Sequence, residues 1–244
     1  MRQRFSNLIK VPEQAKHLKT VILERLKGVT GSIMKKAERI KFISETLDDL
    51  LPDPPIPLDY SDPYTLLVAV VLSAQCTDLR VNQVTKELYK KAKTPKAMVK
   101  LGIEKITEII KPCGLSTTKG KNIFNLSKIL VEKYDSVVPQ TFEELEALPG
   151  VGHKTASVMM IHAFKIPAFP VDTHIHRLAK RWGLSDGSSV EQTEKDLKKI
   201  FPESEWEKRH LQIILFGRTY CKALGHMPEK CPICSVVGCK VTKS

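Results

Sequence analysis

Apolar residues recur along this chain at intervals of three and four for most of its length, the spacing that lays one stripe along an α-helix. In Lys35 to Leu51, the residues Ile40, Ile43, Leu47 and Leu50 form such a stripe, and the segment predicts an amphipathic helix. It stops before Pro52. The stretch DPPIPLDYSDP that follows, with Pro54, Pro55, Pro57 and Pro63, reads as a crossing linker and a domain boundary. Tyr64 to Gln75 is apolar on all sides and predicts a central core helix, and Asp78 to Lys91 resumes the amphipathic spacing through Val81, Val84 and Leu88. Shorter helical patterns cover Pro95 to Leu101 and Ile103 to Ile110. Further helices are predicted over Thr118 to Tyr134, Phe142 to Leu148, Lys154 to Phe164, Thr173 to Trp182, Val190 to Ile200 and Glu205 to Tyr220. Thr141 with Glu144 and Ser189 with Gln192 have the spacing of capping boxes at two of the starts. No run alternates apolar and polar residues in the manner of a half-buried strand, so the fold class is all-α.

At 244 residues and 42% hydrophobic, the chain is long enough to bury a substantial core, as one large domain or two smaller ones. Its longest apolar run, Leu66 to Leu72, falls well short of the roughly 20 residues that a bilayer-spanning helix needs, which excludes a membrane-spanning role. The formal charge of +12 points toward a polyanion, because clustered Lys and Arg gain free energy by releasing counterions condensed on phosphates. Nucleic acid is the first expectation; a merely basic protein, or one that touches anionic lipid, is equally consistent with charge alone. Much of the excess sits in residues 1–33, where Arg2, Arg4, Lys10, Lys16, Lys19, Arg25 and Lys27 face only Glu13 and Glu24. This basic extension reads as a solvated helix with a frayed end or as an arm that adds phosphate contacts, and its Arg-rich start also permits an organelle address.

Four of the six cysteines, Cys221, Cys231, Cys234 and Cys239, fall in the last 24 residues in a C-x9-C-x2-C-x4-C pattern. The N-terminal MRQRFSNLIK carries no apolar secretory core, so reduced thiols in an intracellular compartment are expected rather than disulfides. Four thiolates closing one short loop suit a structural Zn²⁺ or a [4Fe–4S] cluster, and ligand identity alone does not separate the two. A second signal is LPGVGHKTA at 148–156, a glycine-rich turn between two helical patterns. Pro149 presets one turn dihedral, and Gly150 and Gly152 permit positive φ and close backbone approach, so that consecutive N–H groups face a phosphate beside the positive end of the next helix. Such a hairpin holds a nucleic-acid backbone without reading its sequence.

Taken together, these features resemble the helix-hairpin-helix DNA glycosylases, and within them the endonuclease III type of bifunctional glycosylase and AP lyase. The resemblance runs from about Met34 to the last cysteine, through LLVAVVLSAQCTDLRVNQVTKELY, LPGVGHKTASVMM and VDTHIHRLAKR in the family's order. It implies that Lys154 is the nucleophile and Asp172 its carboxylate partner. A lysine attacks only when neutral, and its ordinary pKa near 10.4 must therefore be lowered, as burial beside a positive helix end does. The implied substrate is double-stranded DNA carrying damaged pyrimidines or abasic sites, and the implied chemistry is base release through a Schiff base followed by β-elimination 3′ of the lesion. Gln75 and Leu115 match the residues that fill the hole left by the extruded nucleotide. The hairpin residues Pro149, Gly150, Val151, Gly152 and His153 are expected at the phosphates, and Lys119 and Lys121 beside the Leu115 turn are candidates for further phosphate contacts. Asp78 is expected to cap the helix that follows it.

The resemblance also implies that Cys221, Cys231, Cys234 and Cys239 hold a [4Fe–4S] cluster, with structural zinc as the alternative. Here the chain departs from the family's C-x6-C-x2-C-x5-C spacing, having three more residues in the first interval and one fewer in the last, and the loop from Lys222 to Lys230 contains His226. Cys76 and Cys113 are expected as buried thiols, and the remaining histidines as packing and capping groups. Three parts are implied: a basic extension over 1–33, a helical domain over 56–165 that carries the hairpin, and a second helical and cluster-bearing domain built from 34–55 plus 166–244. The expected protein is a monomer of the bacterial cytoplasm or nucleoid, with a nuclear or organellar location also open. Two rival readings are an adenine-mismatch type monofunctional glycosylase and a non-catalytic DNA-binding protein; Lys154 argues against the first, and Lys154 with Asp172 against the second.

Overall fold

The computed structural model describes residues 34–238. The basic extension over 1–33 and Cys239 lie outside the described residues. Among the described residues there is no strand, and no helix is long and apolar enough to cross a membrane. The α-helices are α1 Lys36–Leu50, α2 Pro63–Ser73, α3 Asp78–Lys91, α4 Pro95–Leu101, α5 Ile103–Ile110, α6 Ser116–Lys133, α7 Phe142–Glu146, α8 His153–Val158, α9 Thr173–Arg181, α10 Val190–Ile200, α11 Trp206–Thr219 and α12 Cys234–Val237. The all-α expectation is met.

Local chemistry fixes the boundaries. Pro63 opens α2 behind Asp62, whose Oδ1 accepts from Thr65 N at 2.8 Å while Thr65 Oγ1 accepts from Asp62 N at 3.1 Å, a reciprocal capping box. The same helix ends at Ser73 rather than Gln75, because Gln75 adopts φ 52°, outside the right-handed helical region. Helix α6 begins two residues earlier than the pattern suggests, directly after the left-handed Leu115. The segment after the hairpin is one continuous helical rod, but its second half, Met159–Ala163, widens into a π turn. Of the two expected capping boxes, Thr141 both accepts from Glu144 N and donates its hydroxyl to Glu144 Oε2. Ser189 accepts from Gln192 N, but the Gln192 amide turns away and donates to Asp196.

Two hydrophobic clusters organise these helices. The first runs from Leu58 to Ala168 and is centred on α2, of which every residue from Tyr64 to Leu72 is buried. The second joins Ile43 and Leu47 of α1 to residues between Phe169 and Val237. Trp206, at the start of α11, packs against both. Polar ties also cross between them. The His153 ring bridges Glu146 of α7 and Glu194 of α10 at 2.7 and 3.1 Å, and Glu207 of α11 accepts from His162 at 3.0 Å and from Lys165 at 2.7 Å.

Helix α1 returns to the C-terminal half through the buried Arg209. Its guanidinium donates to Glu205 at 2.8 Å, to Asp48 at 2.9 Å, to Gln212 at 2.9 Å and to the Ser44 carbonyl at 3.2 Å. Burial pushes the Asp48 carboxyl up, but hydrogen bonds from Arg209, Lys208 and Gln212 outweigh this and hold it at about 2. A carboxyl depressed in the folded state stabilises it above the unfolded value, near 3.8, and loses that contribution as pH falls through 2. Arg209→Met is therefore expected to lower stability at pH 7 by roughly 1–3 kcal/mol, with a smaller difference from the unsubstituted protein at pH 2, as read from urea unfolding at the two pH values.

Candidate active site

The two clusters leave a cleft between them, floored by apolar residues including Leu66, Val70 and Ile214 and closed by a small polar group: Asp78, Lys154, His162, Asp172, His210 and Arg218. The polar residues come from four places: Asp78 from the start of α3, Lys154 and His162 from the rod after the hairpin, Asp172 from the start of α9, and His210 and Arg218 from α11. Lys154 is the second residue of α8, immediately after the hairpin. The turn is set by Val151 N donating to Leu148 O at 3.1 Å and by Gly150 at φ 80°. A Cβ at Gly150 would stand 2.7 Å from the Asn122 amide of α6, so this glycine is required by both conformation and space. Gly152 differs from expectation: its φ is −102°, ordinary extended backbone, and open space surrounds the position of a Cβ. Neither conformation nor space within the protein therefore requires glycine at 152.

Asp172 is the N-cap of α9, with Oδ1 accepting from Ile175 N at 2.8 Å. One carboxylate oxygen thus fixes the side chain while the residue lines the cleft. Lys154 is exposed at the cleft mouth, yet protein surrounds it closely enough for desolvation to lower its pKa. The carboxylates of Asp172 and Asp78 oppose that shift, and Arg218 assists it. Behind the lysine, His210 is fully buried and donates Nδ1–H to the Pro170 carbonyl at 2.9 Å; burial holds its pKa well below the ordinary value, so it is a neutral imidazole. His162, carried on the π turn, packs its ring 5.6 Å from that of His210, and burial lowers its pKa as well.

Asp78 is not the cap of α3. Thr77 takes that position, accepting from Arg80 N, and Asp78 instead pairs with Arg218 of α11 across the cleft. Asp78, Arg218 and His210 are site residues that the sequence reading missed. Asp78 and Arg218 stand 140 positions apart, and nothing in local pattern relates them.

The other expected DNA contacts divide. Gln75 and Leu115 both occupy exposed turns in the left-handed region, at φ 52° and 49°, and Leu115 is 58% exposed, unusual for a leucine. Lys121 is exposed near the Leu115 turn. Lys119 is a correction: it is buried, and its ammonium donates to the carbonyls of Leu72 at 2.9 Å and Cys113 at 3.1 Å. It ties the turn that ends in Gln75 to the turn that presents Leu115 and is not available to a phosphate. His153 is likewise engaged as a strut. Burial works against its charge, but Glu146 and Glu194 outweigh this and raise its pKa, and the ring stacks 5.3 Å from Phe142. Val151 buries its side chain and anchors the turn, and Pro149 is half-buried.

Near the C-terminus Cys221, Cys231 and Cys234 are buried and come together with half-buried His226, all four ligand atoms lying within 4.8 Å of one another. His226 is a further residue that the sequence reading passed over as a ligand. Thiolate-rich donor sets of this kind serve both iron–sulfur clusters and zinc.

Residues 68–203 match the model of the HhH-GPD superfamily base excision DNA repair proteins. Endonuclease III of Bacillus subtilis (strain 168) is 42% identical over 204 residues, which cover 83% of this chain and 93% of that protein. Among solved structures, a non-covalent endonuclease III–DNA complex superposes with a TM-score of 0.80 at 40% identity, covering 85% of this chain and 96% of the other. A trapped endonuclease III–DNA covalent intermediate gives 0.78 at 41% identity, covering 82% and 94%. With its hairpin, cleft lysine and capped aspartate arranged on a fold shared to this extent, the chain belongs to the HhH-GPD superfamily of base excision DNA repair proteins, in the endonuclease III group of glycosylase–lyases.

Proposed function

We propose that this glycosylase–lyase removes oxidised pyrimidines from double-stranded DNA and cleaves the strand 3′ of the resulting abasic site through a Schiff base on Lys154. The observation that carries the reading is the placement of Lys154 in the cleft, where desolvation lowers its pKa, beside an aspartate fixed by a helix N-terminus. The covalent nature of the endonuclease III–DNA intermediate among the solved relatives supports the same route.

In this mechanism the neutral Lys154 amine attacks C1′ of the deoxyribose as the glycosidic bond breaks and the base leaves with the bonding electrons. Asp172 stabilises the positive charge that develops on the sugar and takes part in moving the proton that the amine must lose. Ring opening gives an imine on Nζ. The imine acidifies the C2′ hydrogen, whose removal expels the 3′ phosphate; water then releases the unsaturated aldehyde and free lysine. The hairpin presents backbone to the phosphates, and the exposed Gln75 and Leu115 enter the space vacated by the extruded nucleotide. The helical units over 56–165 and over 34–55 plus 166–244 act as the two jaws of this clamp, and one chain suffices. The cysteine-rich centre is structural in this scheme.

Borohydride added to the protein with a duplex carrying one thymine glycol or abasic site is expected to trap a covalent adduct, and Lys154→Ala to abolish it. Base release without an adduct would make the protein a monofunctional glycosylase, and lesion binding with neither event a non-catalytic one. Asp172→Asn is expected to retain DNA binding and lose on the order of 10²–10³ in turnover.

The charges around Lys154 predict opposite shifts in pH dependence. Activity rises with pH as the amine loses its proton. Asp78→Asn removes a carboxylate that favours the ammonium and frees Arg218, so the acid limb of the kcat/KM profile is expected to move to lower pH. Arg218→Met removes the opposing cation and should move that limb to higher pH. Equal profiles in the two variants would show that this ion pair does not tune the amine. Leu115→Ala is expected to reduce turnover on duplex lesions while sparing cleavage of an abasic site in single-stranded DNA, since only the duplex leaves a stack to be filled.

A further inference from the structure

The cysteine-rich loop holds a donor set whose dimensions suit one ion better than an iron–sulfur cubane. Cys221 Sγ stands 3.8 Å from Cys234 Sγ and 3.7 Å from His226 Nε2, and no two of the four ligand atoms of Cys221, His226, Cys231 and Cys234 are more than 4.8 Å apart. A tetrahedral zinc with Zn–S near 2.3 Å and Zn–N near 2.0–2.1 Å places its thiolates about 3.8 Å from one another and about 3.6 Å from the imidazole nitrogen. A [4Fe–4S] core binds each thiolate at a different iron, on a different corner, with four sulfides between them. That arrangement spreads the cysteine sulfurs apart, and a pair 3.8 Å apart leaves no room for the core between them. The geometry points to a mononuclear zinc site made by Cys221, His226, Cys231 and Cys234, four donors that complete a tetrahedral ion without a fifth.

The sequence around the site supplies what this ligand set needs. His226 lies midway between Cys221 and Cys231, giving C-x4-H-x4-C-x2-C. A short turn at Pro228–Lys230, with Lys230 N donating to Met227 O and Cys231 N to Pro228 O, folds the loop back toward Cys221. The three cysteines are almost entirely buried, at 0%, 1% and 2% exposed. Three thiolates and a neutral imidazole on a divalent ion leave one net negative charge. Arg181 answers it, donating to Cys221 Sγ at 3.4 Å and to the Lys222 carbonyl at 2.8 Å. Arg177 holds the Cys221 carbonyl at 2.9 Å. Outer partners of this kind orient ligands and stabilise the thiolate form.

The inference does not depend on the assigned activity, and its test reads metal content and spectra. The full-length protein is produced with iron and zinc both supplied and purified without oxygen, and zinc, iron and acid-labile sulfide are measured per chain. The expected result is one zinc, no iron or sulfide, and no visible charge-transfer absorption. His226→Ala is expected to lose the zinc, His226→Cys to keep it, and Cys239→Ser to leave it unchanged. Cobalt substitution provides a check that does not rely on a ligand-deletion variant folding: the tetrahedral cobalt spectrum should change between the unsubstituted protein and His226→Cys, as one nitrogen donor becomes sulfur. A coloured protein with four iron and four sulfide per chain would overturn the inference. Absence of bound metal, or loss of zinc on Cys239→Ser, would overturn it equally.

Discussion

The arrangement turns on one electrostatic conflict: the amine of Lys154, which the proposed mechanism needs without its proton, sits in a cleft with two carboxylates, each of which favours the protonated form. Desolvation decides the contest, since it lowers the lysine's pKa by more than the carboxylates raise it, and Asp172 and Asp78 are each engaged elsewhere. Asp172 spends one oxygen on Ile175 N, and Asp78 faces Arg218, whose own charge works against the ammonium. Both carboxylates thus line the cleft with Lys154 while holding other hydrogen-bond or ion-pair partners, as the proposed stabilisation of a cationic sugar requires. The buried, neutral His210 behind them adds an uncharged wall, so charge in the cleft is confined to the groups at its mouth.

Such a balance requires that the two hydrophobic clusters keep their relation, because the groups come from both. Lys154 and Asp78 belong to helices of the first, Asp172 and Arg218 to helices of the second. Trp206 packs on both, and the ties from His153 to Glu194 and from Lys165 to Glu207 bridge them above and beside the cleft. The π turn at Met159–Ala163 has a part in this. It shifts the register of the rod that carries Lys154 in its first turn and brings His162 to Glu207, linking the lysine's own helix to the opposite side.

Much of this was legible in the sequence, for identifiable reasons. Helices whose stripe is strong, such as Asp78–Lys91 and Val190–Ile200, have the expected bounds, because local periodicity and burial agree there. Lys154, Asp172 and three of the clustered cysteines were visible because each belongs to a short motif, and the structure brings them to the cleft or to one donor set. What stayed hidden depends on contacts between distant residues. Lys119 reads as a surface lysine beside a turn, and only the tertiary structure shows two carbonyls waiting for its ammonium. Asp78 reads as a cap because its partner lies in another helix, and the positive φ of Gln75 and Leu115 runs against the ordinary preference of both residue types.

The C-terminal loop, remote from the chemistry in sequence, is coupled to it through α9. The helix has Asp172 at its N-cap and, at its other end, Arg177 and Arg181, whose guanidinium groups hold the carbonyls of Gly217, Cys221, Lys222 and Ala223 and the sulfur of Cys221. A metal that closes the loop therefore fixes the C-terminal half of α9. A helix of nine residues is too short to be stable alone and takes its position from its surroundings. Loosening the loop would free two arginines, release that end of the helix and let the capping carboxylate drift from the cleft lysine. By this route a metal centre in the loop would bear on the proposed chemistry without taking part in bond breaking, because it would hold in register the helix capped by Asp172.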